Sequence, residues 1–128
     1  MRESKCACGA CSVEVDGDPV GSGLCNCDDC RRRTGAPFGW SVYFANEQVG
    51  KPLGPFSTRL VGTGDFPGHV RHFCSLCGSN LFWSAGPFTG FAGGCFNDPT
   101  LLAPHRVARY SQRMPWATFP PACEIADE

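Results

Sequence analysis

Seven of the ten cysteines lie in three clusters whose spacing is typical of metal sites. Thiols two residues apart, as in Cys6-Ala7-Cys8, could form a disulfide only through a small strained ring, but both can bind one metal ion. The same spacing begins the second cluster, and the third is a Cys-x-x-Cys turn followed by glycine. The clusters are Cys6 and Cys8; Cys25, Cys27 and Cys30; and Cys74 and Cys77. The sequence therefore predicts metal binding rather than a disulfide framework.

The first and third clusters together provide the four ligands of a structural zinc site. Zinc in such sites is bound tetrahedrally, often by four cysteine thiolates. We expect Cys6, Cys8, Cys74 and Cys77 to bind one zinc ion and so to join the N-terminus to the middle of the chain. In zinc peptides such a site contributes on the order of 10 kcal/mol to folding, which suits a chain with 16 glycines and 11 prolines.

The middle cluster offers three thiols and no obvious fourth ligand. Three protein ligands and one open position are typical of catalytic zinc. We therefore predict a second, catalytic zinc ion on Cys25, Cys27 and Cys30. The alternative is a closed site, completed by Cys11, Cys95, Cys123 or a histidine.

The open position favours a particular chemistry. A zinc ion that already holds three thiolates is a weak Lewis acid and prefers a soft fourth ligand, such as a thiol from outside the protein. Binding lowers the pKa of that thiol from about 8.5 toward neutrality or below, which makes it a nucleophile. Arg31, Arg32 and Arg33 follow the cluster directly. We predict Arg31 and Arg32 as substrate-binding residues, because arginine binds carboxylates bidentately; the alternative is a solvated charge run at a helix end.

Length and charge limit the number of domains, the classes of partner and the location that we expect for this chain. A chain of 128 residues corresponds to one domain, which we expect to span 1–128. The formal net charge of −1 provides no general attraction to nucleic acid or to an anionic membrane. No apolar run approaches the roughly 18 residues of a membrane span, and the N-terminal residues do not resemble a signal peptide. We expect a cytoplasmic location, where thiols stay reduced.

Aromatic and β-branched residues between glycines and prolines predict a mainly β domain. At 38–44 large rings recur at every second position, which is typical of a strand. Residues 27–34 lack glycine and proline and end before Gly35, so we expect a short helix there. Residues 97–102 resemble a capped helical turn. Further strands are predicted at 12–16, 56–61, 69–73, 80–84, 88–95 and 105–110.

Four segments, in this order, resemble the glutathione-dependent formaldehyde-activating enzyme (GFA) family, which shares a domain with centromere protein V. They are CACGA at 6–10, CNCDDCRRRTGAPF at 25–38, FCSLCGSNL at 73–81 and RMPW at 113–116. The resemblance implies the Mss4-like fold, built from several small coiled antiparallel sheets with zinc knuckles. It also implies the same division into a structural and a catalytic zinc. It further implies glutathione as the thiol and formaldehyde or another aldehyde as the electrophile, in a carbon–sulfur lyase reaction that involves S-hydroxymethylglutathione.

The chain departs from the family pattern at two positions, and two other function classes stay open. Asn26 stands where the family often has histidine, and Gln112 stands where it usually has serine. One alternative is an Mss4-like binding module in which both zinc ions are structural. The other is a thiol redox enzyme that uses Cys95. His72 could line the open site, although a structural role is the simpler interpretation of this histidine.

Overall fold

The computed structural model describes residues 1–62 and 68–127. The strands are β1 (Arg2–Lys5), β2 (Ser12–Val15), β3 (Gly21–Cys25), β4 (Gly39–Ala45), β5 (Phe56–Val61), β6 (His69–Cys74), β7 (Asn80–Ala85), β8 (Phe88–Ala92), β9 (Arg106–Ala108) and β10 (Glu124–Ile125). The α-helix, α1, spans Asp28–Thr34, and short 3₁₀-helices lie at Asn46–Gln48, Gly93–Phe96 and Tyr110–Gln112. No helix in the two described ranges is long and apolar enough to cross a membrane.

The strands form two sheets of unequal size. Strands β1 and β2 pair antiparallel, and the other eight form one sheet in the order β10-β9-β3-β4-β8-β7-β6-β5. Neighbours in the large sheet are antiparallel except at one edge, where β9 runs parallel to both β3 and β10. The prediction of a mainly β chain is confirmed, and the arrangement fits a small Mss4-like fold.

The main core joins the two sheets and reaches the first cysteine cluster. Val13 and Val15 of β2 belong to the same buried cluster as Phe44 of β4 and Phe91 of β8. The Phe44 and Phe91 rings meet edge to face with centroids 5.6 Å apart, a geometry that contributes about 0.5–1.5 kcal/mol beyond the burial of the rings. Cys74 lies in this cluster too, so one corner of the core consists of metal-ligand candidates.

Most predicted elements are present, and the predicted end of one strand is wrong. The strand predicted at 88–95 ends at Ala92, because the chain then turns into a 3₁₀-helix. A side chain at Gly93 would overlap the Trp40 ring, so the backbone at this point passes directly against an aromatic face. Residues 97–102 form the predicted single capped turn: the Asp98 carboxylate accepts from the Thr100 N–H at 2.8 Å, and the Asp98 carbonyl accepts from the Leu101 N–H at 3.1 Å.

Candidate functional site

Four thiols from two turns meet at the edge of the main core. Cys6 and Cys8 lie between β1 and β2, whereas Cys74 ends β6 and Cys77 follows it. All four Sγ atoms lie within 4.8 Å of one another. The Cys8 Sγ atom is 3.6 Å from that of Cys6 and 3.8 Å from that of Cys74. A tetrahedral zinc ion with Zn–S bonds of about 2.3 Å separates its ligands by about 3.8 Å, so these thiols fit one zinc ion.

Backbone N–H groups point at the sulfurs of this four-cysteine cluster. The Cys11 N–H donates to Cys6 Sγ at 3.2 Å, and the Leu76 N–H lies 3.4 Å from Cys74 Sγ. Gly78 has a left-handed φ of 81°, and its N–H bonds the Cys74 carbonyl at 2.8 Å, which closes the Cys-x-x-Cys turn. Donors of this kind favour the thiolate, which is the form that binds a metal ion.

Three further cysteines lie outside both clusters. Cys11 is fully buried beside the four-cysteine cluster, and burial, followed by the nearby Cys74 thiol, raises its pKa to about 12. Burial also raises the pKa of Cys95, so its surroundings do not favour the reactive thiolate that a redox role requires. The Cys123 thiol donates to the Pro104 carbonyl at 3.1 Å in a separate small core.

The second cluster contains three thiols and opens to solvent on one side. The Sγ atoms of Cys25, Cys27 and Cys30 lie within 4.8 Å of one another. Within residues 1–62 and 68–127, no other cysteine, histidine or carboxylate completes this group. Cys27 is buried, whereas Cys25 and Cys30 are partly exposed. The chemistry and spacing of the donors therefore fit a metal ion with room for one further ligand.

Helix α1 holds two of these three thiols. Cys27 is the N-cap, and its Sγ accepts from the Cys30 N–H at 3.4 Å. The helix ends at Gly35, whose left-handed φ of 67° lets its N–H reach the Arg31 carbonyl at 2.8 Å. Cys25 is the last residue of β3. The sequence pattern does not predict this strand, because it is rich in glycine. The site thus forms where a sheet strand ends and a capped helix begins.

The three consecutive arginines have different surroundings. A guanidinium nitrogen of Arg33 lies 3.8 Å from Cys30 Sγ, and its Cζ is 4.9 Å from the centre of the Trp83 ring. Arg31 instead donates to the Gln112 carbonyl at 2.6 Å, and Arg32 is exposed. The structure therefore brings Arg33, rather than the predicted Arg31 and Arg32, against the cluster.

The three thiols of this cluster differ in how their surroundings treat the thiolate form. The pKa of Cys30 is lowered to about 6, chiefly by hydrogen bonding from Cys25, with smaller contributions from Cys27 and the positive charge of Arg33. The pKa of Cys25 is raised, first by its interaction with Cys30 and then by burial. These neighbours therefore favour the thiolate of Cys30, the form that binds a metal ion.

A cavity of about 630 Å³ adjoins the exposed side of this cluster. Its wall carries Cys25, Asp29, Cys30, Arg33, Ser41, Tyr43, Gly68, His69, Arg71, Trp83 and residues 84–86. Arg71 donates to the Asp29 carboxylate at 2.7 Å, so strand β6 and helix α1 are tied together across the cavity. Three of these wall residues were not identified as site residues from the sequence, because each is one residue in an ordinary strand pattern. They are Tyr43, Trp83 and Arg71.

Other residues singled out in the sequence have structural contacts. His72 stacks on Phe82 with ring centroids 4.2 Å apart, away from the cavity wall. Burial lowers its pKa, which favours the neutral ring. Asn26 is buried, and its amide donates to the Ala108 carbonyl of β9 at 3.0 Å. Asn26 thus fixes the chain between two cluster cysteines.

Gly90→Ala is expected to destabilise the protein by about 1–3 kcal/mol, the usual cost of overpacking. A Cβ at this position would overlap the Trp83 indole, which lies across the glycine. The matched control is Gly94→Ala, since a Cβ at Gly94 has no atom within 4 Å. Urea unfolding of the two variants measures the difference. Equal stabilities would show that the indole does not occupy this place.

Comparisons with known proteins support the family resemblance found in the sequence. The model of the glutathione-dependent formaldehyde-activating enzyme family matches residues 1–113. A crystal structure of a Rhodobacter sphaeroides protein is similar with a TM-score of 0.58 and 18% identity, covering 76% of this chain and 91% of that chain. That likeness shows a shared fold. No curated protein matches the chain in sequence.

The family match spans nearly the whole chain and includes both cysteine clusters. The members of each cluster lie together in space, the motifs follow the expected order, and the chain shares its fold with a solved protein. The resemblance predicted from the cysteine motifs is therefore confirmed. The chain belongs to the glutathione-dependent formaldehyde-activating enzyme family.

Proposed function

We propose that this protein adds glutathione to formaldehyde or another small aldehyde, forming S-hydroxymethylglutathione, and catalyses the reverse carbon–sulfur cleavage. The observation that carries the proposal is the three-cysteine cluster, which lacks a fourth ligand among the described residues and opens onto a cavity lined by two arginines. A cavity of about 630 Å³ has the size of ordinary small-molecule sites. A tripeptide thiol and a one-carbon aldehyde are compatible with that size.

Two zinc ions are part of the proposal, a structural one at the four-cysteine cluster and a catalytic one at the three-cysteine cluster. Zinc at the latter would lower the pKa of an incoming thiol and so favour the nucleophilic thiolate. The chain's own contribution is positional. Arg33 offsets the negative charge of Cys30, and the enclosing wall holds both reactants in one small volume, which replaces a bimolecular encounter by a nearly intramolecular one.

The cavity also offers groups for the charged ends of glutathione. Arg33 and Arg71 present guanidinium groups to the cavity, and Asp29 presents a carboxylate. Carboxylates of the tripeptide fit the guanidinium groups, and its ammonium group fits the carboxylate. Substrate contacts of Arg31 and Arg32 stay predictions; Arg31 would have to release the Gln112 carbonyl. A reducing cytoplasmic setting belongs to the same proposal, because it keeps both glutathione and the ligand thiols reduced.

Calorimetric titration with glutathione tests the proposed function. Zinc-loaded protein is expected to bind glutathione in the millimolar range or tighter and to release a proton, because the thiol binds as thiolate. S-methylglutathione is the matched control: it keeps every charged group but has no ionisable thiol. It should bind at least about tenfold more weakly, the factor that corresponds to one pKa unit of preference for the thiolate. Absence of glutathione binding at millimolar concentration would contradict the proposal.

A further inference from the structure

Tyr43 lies on the face of the sheet that carries the three-cysteine cluster. In β4 it pairs with Gly21 of β3 on one side and with Gly90 of β8 on the other. Gly90 in turn pairs with Trp83 of β7. Directly paired residues project to the same face of a sheet, so the Tyr43 and Trp83 rings flank a glycine that leaves room for both. The pairing of Cys25 with Gly39 continues this face to the cluster.

The Tyr43 hydroxyl has polar neighbours in Ser41 and Trp83. Burial raises its pKa, whereas side-chain hydrogen bonds with Ser41 and then with Trp83 lower it. The indole N–H of Trp83 is a donor only, so toward this neighbour the Tyr43 oxygen can act only as an acceptor. A phenol whose oxygen accepts from a neighbour keeps its own proton for another partner. Tyr43 lines the cavity of about 630 Å³, so a ligand in that cavity can be such a partner.

Tyr43 stands where two cavities meet. It lines the cavity of about 630 Å³ and also a neighbouring one of about 280 Å³. Cys25 and Ser41 line both cavities too, and Gly21 and Gly23 form part of the smaller one. Tyr43 lines the larger cavity together with Cys25 and Cys30, so its side chain borders the same space as the cluster. Two reactants can therefore approach Tyr43 and the Cys25 sulfur from different sides.

We propose that the Tyr43 hydroxyl donates a hydrogen bond, and then its proton, to the carbonyl oxygen of the aldehyde; this inference rests on the proposed function. The glutathione thiolate sulfur forms a bond to the carbonyl carbon, and the C=O π pair moves to oxygen. The oxygen takes the proton of Tyr43, and the proton that the thiol released on binding returns to Tyr43 through solvent. Thiol plus aldehyde give one hydroxymethyl thioether, so atoms and charge balance.

The cavity wall favours Tyr43 over the two arginines for this role. Arg33 lies against Cys30, and Arg71 is paired with Asp29. Both guanidinium groups are thus engaged by negative charge that an uncharged carbonyl oxygen would have to displace. A neutral phenol needs no such displacement. A hydrogen bond aimed at developing negative charge is worth roughly 10²- to 10³-fold in rate in comparable oxyanion sites.

The test compares Tyr43→Phe with Tyr110→Phe. Tyr110 is the other tyrosine of the chain and packs against Phe119, outside both cavities. The probes are glutathione and ¹³C-formaldehyde, and exchange NMR measures the rates at which the adduct forms and dissociates. For Tyr43→Phe we expect both rate constants to fall about 100-fold and by the same factor, because a catalyst leaves the equilibrium unchanged. Tyr110→Phe should match the unsubstituted protein.

Zinc content and the glutathione dissociation constant separate a chemical role from a structural one. Both should stay within about twofold in Tyr43→Phe, since removing one hydroxyl leaves the ring packing in place. Rates within twofold of the unsubstituted protein would overturn the inference, and so would a loss of zinc or of glutathione binding. If the unsubstituted protein binds glutathione but accelerates neither direction, the proposed function fails and this inference fails with it. An active unsubstituted protein with an equally active Tyr43→Phe variant overturns the inference alone.

Discussion

Cys74→Ser is expected to abolish cooperative folding and to remove the zinc ion of the four-cysteine cluster. Cys74 is 1% exposed and belongs to the main core as well as to the cluster. Structural zinc contributes about 10–16 kcal/mol apparent in small zinc peptides, whereas a whole domain is stable by only about 5–15 kcal/mol. Loss of one thiolate ligand therefore removes a free energy comparable with the entire stability of the fold.

Zinc analysis and thermal unfolding followed by circular dichroism measure this effect. The matched control is Cys123→Ser, which changes a buried cysteine outside both clusters. Serine can still donate to the Pro104 carbonyl that Cys123 contacts, so a loss of about 1 kcal/mol is expected. A Cys74→Ser protein that unfolds within a few degrees of the unsubstituted chain and keeps its zinc would show that the four thiols are not a structural site.

Cys27→Ser is expected to leave the fold intact but to eliminate the second zinc ion and glutathione binding. The Cys27 sulfur accepts from the Cys30 N–H at the start of α1. Serine is among the preferred N-cap residues, so the helix keeps its cap while the cluster loses a thiolate. With only Cys25 and Cys30 left, a stable three-thiolate site cannot form. We expect glutathione affinity to fall by at least about 100-fold, the order of magnitude for a damaged metal site.

The result of this substitution also separates the two main function classes. Metal analysis should find about one zinc ion fewer per chain, with an unchanged circular dichroism spectrum. Cys95→Ser is the matched control, because Cys95 belongs to neither ligand group; it should keep both zinc ions and full glutathione affinity. Collapse of the fold in Cys27→Ser would instead favour a binding module in which both metal ions are structural. Retained thiol redox activity in Cys95→Ser would also exclude the hypothesis of a redox enzyme that uses Cys95.

Local patterns were sufficient for most secondary structure, and the exceptions have a physical cause. Strand β4 shows large rings at alternate positions, and α1 shows both of its ends, so each could be predicted from its own residues. Strand β3, Gly21–Cys25, could not. It is glycine-rich, and its apolar and polar side chains do not alternate along the sequence. It is a strand because β4 and β9 pair with its backbone from both sides.

The two cysteine groupings could be inferred from the sequence because thiols two or three residues apart are typical metal ligands, and because a structural zinc ion takes four ligands, which the first and third clusters supply together. The cavity could not, since its wall comes from strands far apart in the chain. Tyr43 and Trp83 are 40 residues apart in the sequence, yet strand register places them on either side of Gly90. A one-residue shift in that register would turn each side chain to the opposite face of the sheet. The sequence alone thus determined which atoms can bind metal, and only the tertiary structure decided which groups face the open side of that metal site.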